Sequence, residues 1–269
     1  MYKLIATDLD ETLLQTDKHV SLKDIETIKK LKDVKFVLAT GRGFLSIQNT
    51  LKEISLFNKT NEYTISYNGA VICENKDNKI IHLQELGYKH AQRLFDIGLN
   101  YDVCIHVYTL DNCYTYRMFE NERQYLNNRI QTVEFDSKDI YFLENKPILK
   151  VLYCSQDFDY LKQIKKELNL DNEYDVSLSA NRYLEFNFKG VNKGNALIKL
   201  AEYLNIDVKD TIAVGDSLND LTMIQKAGLG IGVKNATQEI TNDCDVILDS
   251  TNNESPITEI YEKYIKTED

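Results

Sequence analysis

Short, nearly continuous apolar runs recur along this chain, most of them separated by segments of helix length. Strands buried on both faces lack the polar and apolar alternation of half-exposed strands, so such runs are typical of a parallel sheet covered by helices. Helical periodicity in residues 22–31 and 196–204 supplies candidate crossover helices. The pattern predicts an α/β fold with a doubly wound, Rossmann-like parallel sheet. The runs are residues 4–6, 36–39, 64–66, 212–214 and 246–248.

The middle of the chain has a different character. Residues 104–107 and 113–116 flank the turn-like stretch YTLDN and predict an antiparallel hairpin. A helical stretch at 88–99 precedes the hairpin. The strand-like ILKVLYC, the helix-like FDYLKQIKKEL and a strand pair within YDVSLSANRYLEFNF follow it. We therefore predict an α+β insertion at residues 83–187, with 1–82 and 188–269 forming one discontinuous core domain.

Length and charge limit the classes of partner. A chain of 269 residues that is 43% hydrophobic can bury the cores of two moderate domains. With 42 acidic against 32 basic residues the formal charge is −10, which argues against binding to a nucleic-acid polymer or an anionic membrane surface. An anionic substrate would need local positive groups or a metal. Because no apolar run approaches membrane-span length and the N-terminus lacks a signal-peptide pattern, we expect a cytoplasmic protein.

Cysteine and histidine spacing gives no sign of a disulfide framework or a zinc site. The five cysteines are odd in number and scattered, without a CxxC pair, and the four histidines show no HxxxH spacing. The cysteines are interpreted as reduced and mostly buried, and the histidines as structural or surface residues.

Four predicted core strands end in polar signatures: ATDLDET, ATGR, SYNGA and VGDSLND. Ligands of open parallel sheets bind beyond the carboxyl ends of the strands, so these segments are expected to meet. Asp8 and Asp10 lie two residues apart and would repel each other on one face of an extended chain, which suggests a cation there. Hard oxygen donors of this kind suit Mg²⁺. The candidate metal ligands are Asp8, Asp10, Asp216, Asn219 and Asp220.

Candidate phosphate-binding groups lie in two other segments. Thr40 with the neighbouring backbone amides, including that of Gly41, and Lys193 at the start of a predicted helix are placed to hold phosphate oxygens. Taken singly, Thr40 also reads as the N-cap of a helix over GRGFLSIQNTL, and Lys193 as a solvated helix-start lysine.

Four motifs in this order, DLDET, ATGR, VNKG and GDSLND, resemble those of the haloacid dehalogenase (HAD) superfamily. The mixed α and β insertion falls between the second and third motifs, which is similar to the Cof-type phosphatases of that superfamily. The resemblance covers nearly the whole chain. It implies a HAD-like catalytic core and an inserted cap that restricts which leaving groups enter.

The resemblance also implies a role for each motif residue. Asp8 would be the nucleophile that forms an aspartyl phosphate, and Asp10 would protonate the leaving alcohol and later deprotonate the attacking water. Thr40 would bind the transferring phosphoryl group, and Lys193 would offset the charge of nucleophile and phosphate. Asp216 would bind Mg²⁺ together with the Asp8 carboxylate and the Asp10 carbonyl, supported by Asn219 and Asp220.

Several further residues have two open interpretations. Arg42 either contacts substrate or pairs with an acid. Asn68 and Gly69 either form an ordinary tight turn or line the pocket, as the resemblance implies. In the insertion, Arg117, Arg182 and Glu185 either face the substrate or make structural and solvent contacts.

Two positions depart from the family pattern. Glu11 stands where the superfamily commonly has glycine, and a glutamate adopts positive φ less readily than glycine and adds negative charge near an anion site. We expect its side chain to point away from the phosphate. The segment LEFNFKGVNKG also lacks the proline that often precedes the third motif, which should affect the hinge more than the chemistry.

The function predicted from the sequence is a Mg²⁺-dependent phosphatase that hydrolyses small phosphorylated metabolites, above all sugar phosphates, through an aspartyl phosphate. Two alternatives stay open: a phosphomutase that uses the same nucleophile, and a catalytically weak metal- or metabolite-binding regulatory protein. The expected partner is a small phosphate ester, and the expected state a monomer or homodimer.

Overall fold

A computed structural model describes residues 1–127 and 130–266. The chain forms two compact units, the first comprising Met1–Leu83 with Asn192–Asp269 and the second Gln84–Val191. The domain ranges predicted from the sequence also contain residues 128–129 and 267–269, which lie outside the described residues.

The strands of the described residues are numbered in chain order. They are β1 (Leu4–Thr7), β2 (Lys35–Ala39), β3 (Tyr63–Ser66), β4 (Val71–Glu74), β5 (Lys79–Leu83), β6 (Cys104–Thr109), β7 (Cys113–Tyr116), β8 (Thr132–Phe135), β9 (Ile148–Cys154), β10 (Tyr174–Ser179), β11 (Tyr183–Phe188), β12 (Thr211–Gly215), β13 (Leu229–Gly232) and β14 (Val246–Ile247).

The α-helices of the same residues are α1 (Leu22–Ile28), α2 (Gln48–Glu53), α3 (Tyr88–Gly98), α4 (Glu120–Leu126), α5 (Phe158–Leu168), α6 (Lys193–Tyr203), α7 (Leu221–Lys226), α8 (Gln238–Thr241) and α9 (Pro256–Ile260). Short 3₁₀ turns occupy Phe44–Ile47, Tyr67–Gly69, Lys76–Asn78, Tyr141–Leu143 and Val208–Asp210, and a π-helical turn occupies Tyr261–Ile265.

The sheet of the first unit has the order β14-β13-β12-β1-β2-β3-β4-β5. Strands β14 to β3 are parallel, whereas β4 and β5 add an antiparallel edge. Alternate residues of the central strands pack on opposite faces, each against helices, which confirms the doubly wound α/β core. One cluster contains Ile5, Leu38 and Val214 with Ile28, Leu51 and Ile257, and the other contains Leu4, Val37 and Ala213 with Leu197, Leu200 and Met223.

Some element boundaries were predicted wrongly. Helix α1 ends at Ile28 rather than at residue 31. Strand β13 was missed because Gly230 and Gly232 interrupt its apolar pattern, and the β4–β5 pair was not predicted. The helix expected directly after Thr40 does not form: a 3₁₀ turn at Phe44–Ile47 precedes the short α2, so Thr40 is not a helix N-cap.

The second unit is an α+β layer. Its sheet has the order β10-β11-β9-β6-β7-β8 and is antiparallel except for the β7–β8 pair. The predicted hairpin is β6–β7, joined through residues 110–112. Side chains from α3 and α5 pack on one face of the sheet, and alternate strand residues point to the other. The packed face contains Leu94, Phe95, Ile105, Val107, Val151, Tyr153, Leu161 and Ile164.

All five cysteines are free, four of them buried and Cys244 partly so, as the sequence predicted. None of the helices in the described residues combines the length and apolar character that crossing a bilayer requires.

A buried acid connects α1 to α9 in the first unit. The Asp24 Oδ1 atom accepts hydrogen bonds from the Thr258 backbone N–H (2.8 Å) and hydroxyl (2.9 Å). Its Oδ2 atom is buried without a hydrogen-bond partner in the described residues. Burial raises the pKa of Asp24 to about 6, although the Thr258 bonds oppose the rise. The ionised carboxylate is therefore costly in the folded state.

We predict that Asp24→Asn gains stability relative to wild type as pH rises. Because the folded-state pKa is raised, the favourable contribution of protonated Asp24 is complete below pH about 4 and is lost through pH about 6, a change of up to about 3 kcal/mol. Urea unfolding of both proteins from pH 4 to 7 measures the difference. The exposed Asp33→Asn is the matched control, and a wild-type-to-variant difference that does not change with pH would contradict the prediction.

Candidate active site

Two adjacent parallel strands place the first pair of acids. Strand β1 ends at Thr7 and β12 ends at Gly215, so Asp8 and Asp216 follow neighbouring strands at the same edge of the sheet. One carboxylate oxygen from each of Asp8, Asp216 and Asp220 lies within 4.8 Å of the others, and all three residues are buried.

Lys193 supplies positive charge to this cluster. It is the first residue of α6, whose N-cap Asn192 accepts a hydrogen bond from the Asn195 backbone N–H. The fully buried Lys193 Nζ lies 2.5 Å from Asp8 Oδ1 and 2.6 Å from Asp220 Oδ1. It is therefore a buried ion-pair residue and not a solvated helix-start lysine.

The loop after β12 is held by its own side chains. Asp220 Oδ2 accepts the backbone N–H groups of Asp216 (3.1 Å) and Ser217 (3.2 Å), and Asn219 Oδ1 accepts the Ser217 hydroxyl. Asp220 thus positions both Lys193 and the Asp216 loop. Sequence reasoning missed Thr12, whose hydroxyl donates to Asp216 Oδ1 at 2.8 Å; its only sequence signal is its place in the DLDET motif.

The charges of the cluster do not balance. Three carboxylates face one ammonium group. Burial, together with the neighbouring acids, raises the pKa of Asp8 to about 7 and that of Asp216 to about 8. Burial lowers the pKa of Lys193, but Asp220 and Asp8 outweigh it and the net shift is upward. A buried set of hard oxygen donors with excess negative charge fits a divalent cation such as Mg²⁺.

The Asp10 carboxylate lies outside this cluster and pairs with the guanidinium group of Arg42. Arg42 donates to both of its oxygens, from Nε to Oδ2 at 2.8 Å and from Nη2 to Oδ1 at 2.5 Å. Lys18 Nζ is 3.5 Å from Oδ1. Burial raises the pKa of Asp10, but Arg42 and Lys18 outweigh it, so the net pKa is lowered. The structure therefore agrees with the interpretation in which Arg42 pairs with an acid.

The loops after β2 and β3 are tied together. Thr40 is buried; its carbonyl accepts the Asn68 N–H (3.0 Å) and its hydroxyl accepts the Arg42 N–H (3.1 Å). The Tyr67 N–H donates to the Arg42 carbonyl at 3.0 Å. A Cβ atom on Gly41 would lie 2.9 Å from Asn68 Oδ1. These contacts bring the ATGR and SYNGA segments side by side.

Gly69 connects the SYNGA turn to the start of α6. Its φ of +100° lies in the left-handed region that favours glycine, and a Cβ atom there would approach the Asn192 carbonyl oxygen to 2.5 Å. Since Asn192 caps the helix that begins with Lys193, the absence of a side chain at Gly69 allows the SYNGA turn to pack closely against the start of this helix. Asn68 and Gly69 thus form a tight turn in the structure, as the first interpretation predicted. That these two residues line the pocket stays a prediction.

Glu11 adopts the backbone conformation that glycine would favour, with φ of +58°. Its carboxylate accepts hydrogen bonds from Lys18 Nζ (3.0 Å) and Asn252 Nδ2 (3.5 Å), while its carbonyl accepts one from Asn235 Nδ2 (2.7 Å). Lys18, which carried no sequence signal, therefore bridges Glu11 and Asp10.

We expect Glu11→Gly to change turnover less than about threefold and unfolding free energy by no more than about 1 kcal/mol. Relief of the positive φ is offset by a more flexible unfolded chain, and the exposed pair with Lys18 contributes little. Steady-state kinetics and urea unfolding measure both quantities. A tenfold or larger rise in turnover would instead support the weak-enzyme interpretation.

The candidate residues of the insertion have partners within the second unit. Arg182 Nη1 donates to Glu122 Oε2 at 2.7 Å, and Glu185 accepts hydrogen bonds from Lys150 (2.5 Å) and Ser179. Arg117 Nη1 donates to the Tyr101 carbonyl at 3.0 Å. The structure therefore gives structural contacts for all three, and substrate binding by Arg182 and Glu185 stays a prediction.

Comparison with known proteins identifies the family. The model of haloacid dehalogenase-like hydrolases matches residues 5–260. The chain belongs to this family. The matched residues of this HAD-family chain belong to both units and include the whole insertion between the second and third motifs.

The relatives of this HAD-family chain are named as phosphatases. It is 31% identical to a putative phosphatase, YxeH, of Bacillus subtilis over 89% of this chain and 90% of that protein. It is 28% identical to the 5-amino-6-(5-phospho-D-ribitylamino)uracil phosphatase YcsE of the same species, over 92% of this chain and 90% of that protein. The solved structure of TM0651 from Thermotoga maritima has a TM-score of 0.82 at 28% identity, covering 100% and 99%. The chain is accordingly a phosphoric monoester hydrolase of the HAD family.

Proposed function

We propose that this HAD phosphatase hydrolyses small phosphorylated metabolites, sugar phosphates among them, through an aspartyl phosphate on Asp8 with Mg²⁺ as cofactor. The observation that carries the proposal is the buried cluster in which Lys193 binds Asp8 and Asp220 beside Asp216. A carboxylate held by a buried ammonium next to a cation-binding acid suits nucleophilic attack on phosphorus.

Asp8 is the proposed nucleophile. One of its carboxylate oxygens attacks phosphorus while the bond to the ester oxygen breaks, and the leaving oxygen takes a proton from Asp10. Water then attacks the same phosphorus, gives a proton to Asp10, and releases phosphate and free Asp8. Lys193, 2.5 Å from Asp8 Oδ1, favours the ionised nucleophile and offsets charge on the phosphoryl oxygens.

Asp10 needs both protonation states in this scheme. In the structure Arg42 and Lys18 favour its ionised form, which suits proton abstraction from water. For the acid step Asp10 must carry a proton, so we propose that its carboxyl leaves Arg42 when substrate binds. Arg42 and the Thr40–Gly41 turn would then be available to the phosphoryl oxygens.

Mg²⁺ would be held by Asp8, Asp216 and the Asp10 carbonyl, with Asn219 and Asp220 in support. When bound, it neutralises negative charge on the phosphoryl oxygens during transfer. Thr12 fixes the Asp216 carboxylate through its hydroxyl, and Asp220 fixes the backbone of the same loop.

The substrate class is supported by a relative. YcsE is named for a phosphate ester of a ribityl chain, a sugar-like leaving group. Which leaving group this chain accepts, its cytoplasmic location and its monomeric or homodimeric state stay predictions.

The test is release of inorganic phosphate from a panel of sugar phosphates, pyridoxal phosphate, flavin mononucleotide and nucleotides, with and without Mg²⁺. We expect Mg²⁺-dependent release for wild type and a loss of at least about 10²-fold for Asp216→Asn, at any Mg²⁺ concentration. Asp207→Asn, an acid outside the cluster, is the control.

Two outcomes would contradict the proposal. Full activity in the presence of EDTA would show that the enzyme needs no divalent metal ion. If the enzyme instead required a bisphosphate activator and formed an isomerised product with little free phosphate, it would be a phosphomutase.

A further inference from the structure

A histidine lies buried within the second unit without hydrogen bonds. His106, in the middle of β6, has no exposed surface, and neither of its ring nitrogens has a hydrogen-bond partner in the described part of the chain. Burial lowers the pKa of His106 to about 3, so the ring is neutral and one nitrogen carries a free lone pair. Buried polar groups are normally satisfied, so an unsatisfied imidazole needs an explanation, and a bound ion is one of those known in proteins.

Two further donor groups surround this ring. Glu122 comes from α4 and Cys154 from the end of β9, and neither is more than 1% exposed. One donor atom from each of the three side chains lies within 4.8 Å of the others, and His106 Nε2 is 3.8 Å from Glu122 Oε1. A tetrahedral ion with bonds of about 2.0–2.3 Å needs donors about 3.3–3.8 Å apart. Small side-chain adjustments would therefore close the set.

The carboxylate of this set is already oriented. Tyr183 donates its hydroxyl to Glu122 Oε1 at 2.6 Å, and Arg182 donates to Oε2 at 2.7 Å. Outer hydrogen bonds of this kind fix the direction of ligating carboxylates in metalloproteins. They also compensate the charge of Glu122 while no cation is bound.

We propose that His106, Glu122 and Cys154 form a second metal site, which binds a borderline transition-metal dication and fits Zn²⁺ best. One imidazole nitrogen, one thiolate and one carboxylate are zinc ligands, whereas Mg²⁺ prefers oxygen donors alone. The site is chemically distinct from the all-carboxylate cluster of the first unit and does not depend on the proposed function.

A second thiol lies on the same face of the sheet but does not belong to this set of three donors. Cys104 is paired in register with Cys154 across the β6–β9 ladder and is 2% exposed. Side chains directly opposite each other in antiparallel strands lie close together on one face. The three ligands come from β6, α4 and β9, so a bound ion would tie the helix to two central strands, which is a structural role.

Binding requires the loss of one proton from Cys154. Burial and the neighbouring Glu122 raise the pKa of this thiol, so it is protonated in the metal-free protein. The metal–sulfur bond forms as the S–H proton is released to solvent, and affinity must therefore rise with pH. Sequence spacing gave no sign of this site because its three ligands come from separate elements.

The test uses Co²⁺ as a spectroscopic probe on the intact, EDTA-treated protein in saturating Mg²⁺. We expect one equivalent to produce a thiolate-to-cobalt charge-transfer band, which oxygen ligands alone cannot give, and Zn²⁺ to displace it. Cys154→Ser should abolish the band and His106→Asn should weaken Co²⁺ binding at least tenfold. Cys244→Ser, which changes a thiol outside the cluster, should leave band and affinity unchanged.

Circular dichroism establishes that each variant is folded, and Cys154→Ala offers a second thiol-free variant if Cys154→Ser is not. Absence of the band in folded wild type would overturn the proposal. So would an equal band in either folded Cys154 variant.

Discussion

Asp8→Asn should lower the rate of phosphate release by at least about 10³-fold while the protein stays folded. The amide cannot attack phosphorus as the carboxylate does. The fold should survive because Asn retains an oxygen that accepts from Lys193, and Lys193 keeps its pair with Asp220. Removing a charge whose burial is unfavourable should leave the unfolding temperature unchanged or slightly higher.

Steady-state kinetics with the best substrate of the panel and thermal unfolding measure the two effects. Asp33→Asn, which makes the same type of substitution at an exposed position, should retain wild-type kinetics. An Asp8→Asn protein with activity near that of wild type would exclude Asp8 as the nucleophile.

Lys193→Met should reduce both activity and stability. The substitution removes the ammonium that bridges Asp8 and Asp220 and leaves their carboxylates buried without it. Removing one partner of a buried ion pair typically costs about 3–5 kcal/mol, and the loss of charge at the phosphoryl group should lower turnover about 10³-fold. Methionine keeps the approximate length of the side chain, so the effect of charge dominates.

Urea unfolding and phosphate release measure these losses. Lys199→Met provides the matched control, because Lys199 lies on the same helix but is exposed and bonded to His82. If Lys193→Met kept turnover within tenfold of wild type, the charge of Lys193 would not be needed for the chemistry.

The sequence predicted the parts of the fold that depend on local pattern. Central strands such as β1 and β2 are recognisable because both of their faces are buried, so that apolar residues run without interruption. Their order in a parallel sheet places strand ends at one edge, which is why Asp8 and Asp216 were expected to meet. The family resemblance implied a role for each motif residue, and these roles stay predictions.

Features that depend on side-chain conformation or weak patterns were not predictable. Gly230 and Gly232 disguised β13, and the 3₁₀ turn at Phe44–Ile47 replaced an expected helix. Arg42 offered two partners with no way to choose between them. Lys18 had no signal at all, because its contacts with Asp10 and Glu11 arise only when the loop folds back on itself.

The central claim is that Asp8 becomes phosphorylated during turnover. The most direct measurement mixes enzyme and substrate with Mg²⁺, quenches with acid within the first turnover, and maps phosphorylated peptides by mass spectrometry. We predict one phosphoryl group on Asp8 in the peptide that contains residues 4–14, labile to hydroxylamine and absent from Asp8→Asn. Phosphate release by an enzyme that carries no phosphoryl group on Asp8 at any quench time, or carries it on another residue, would contradict the account.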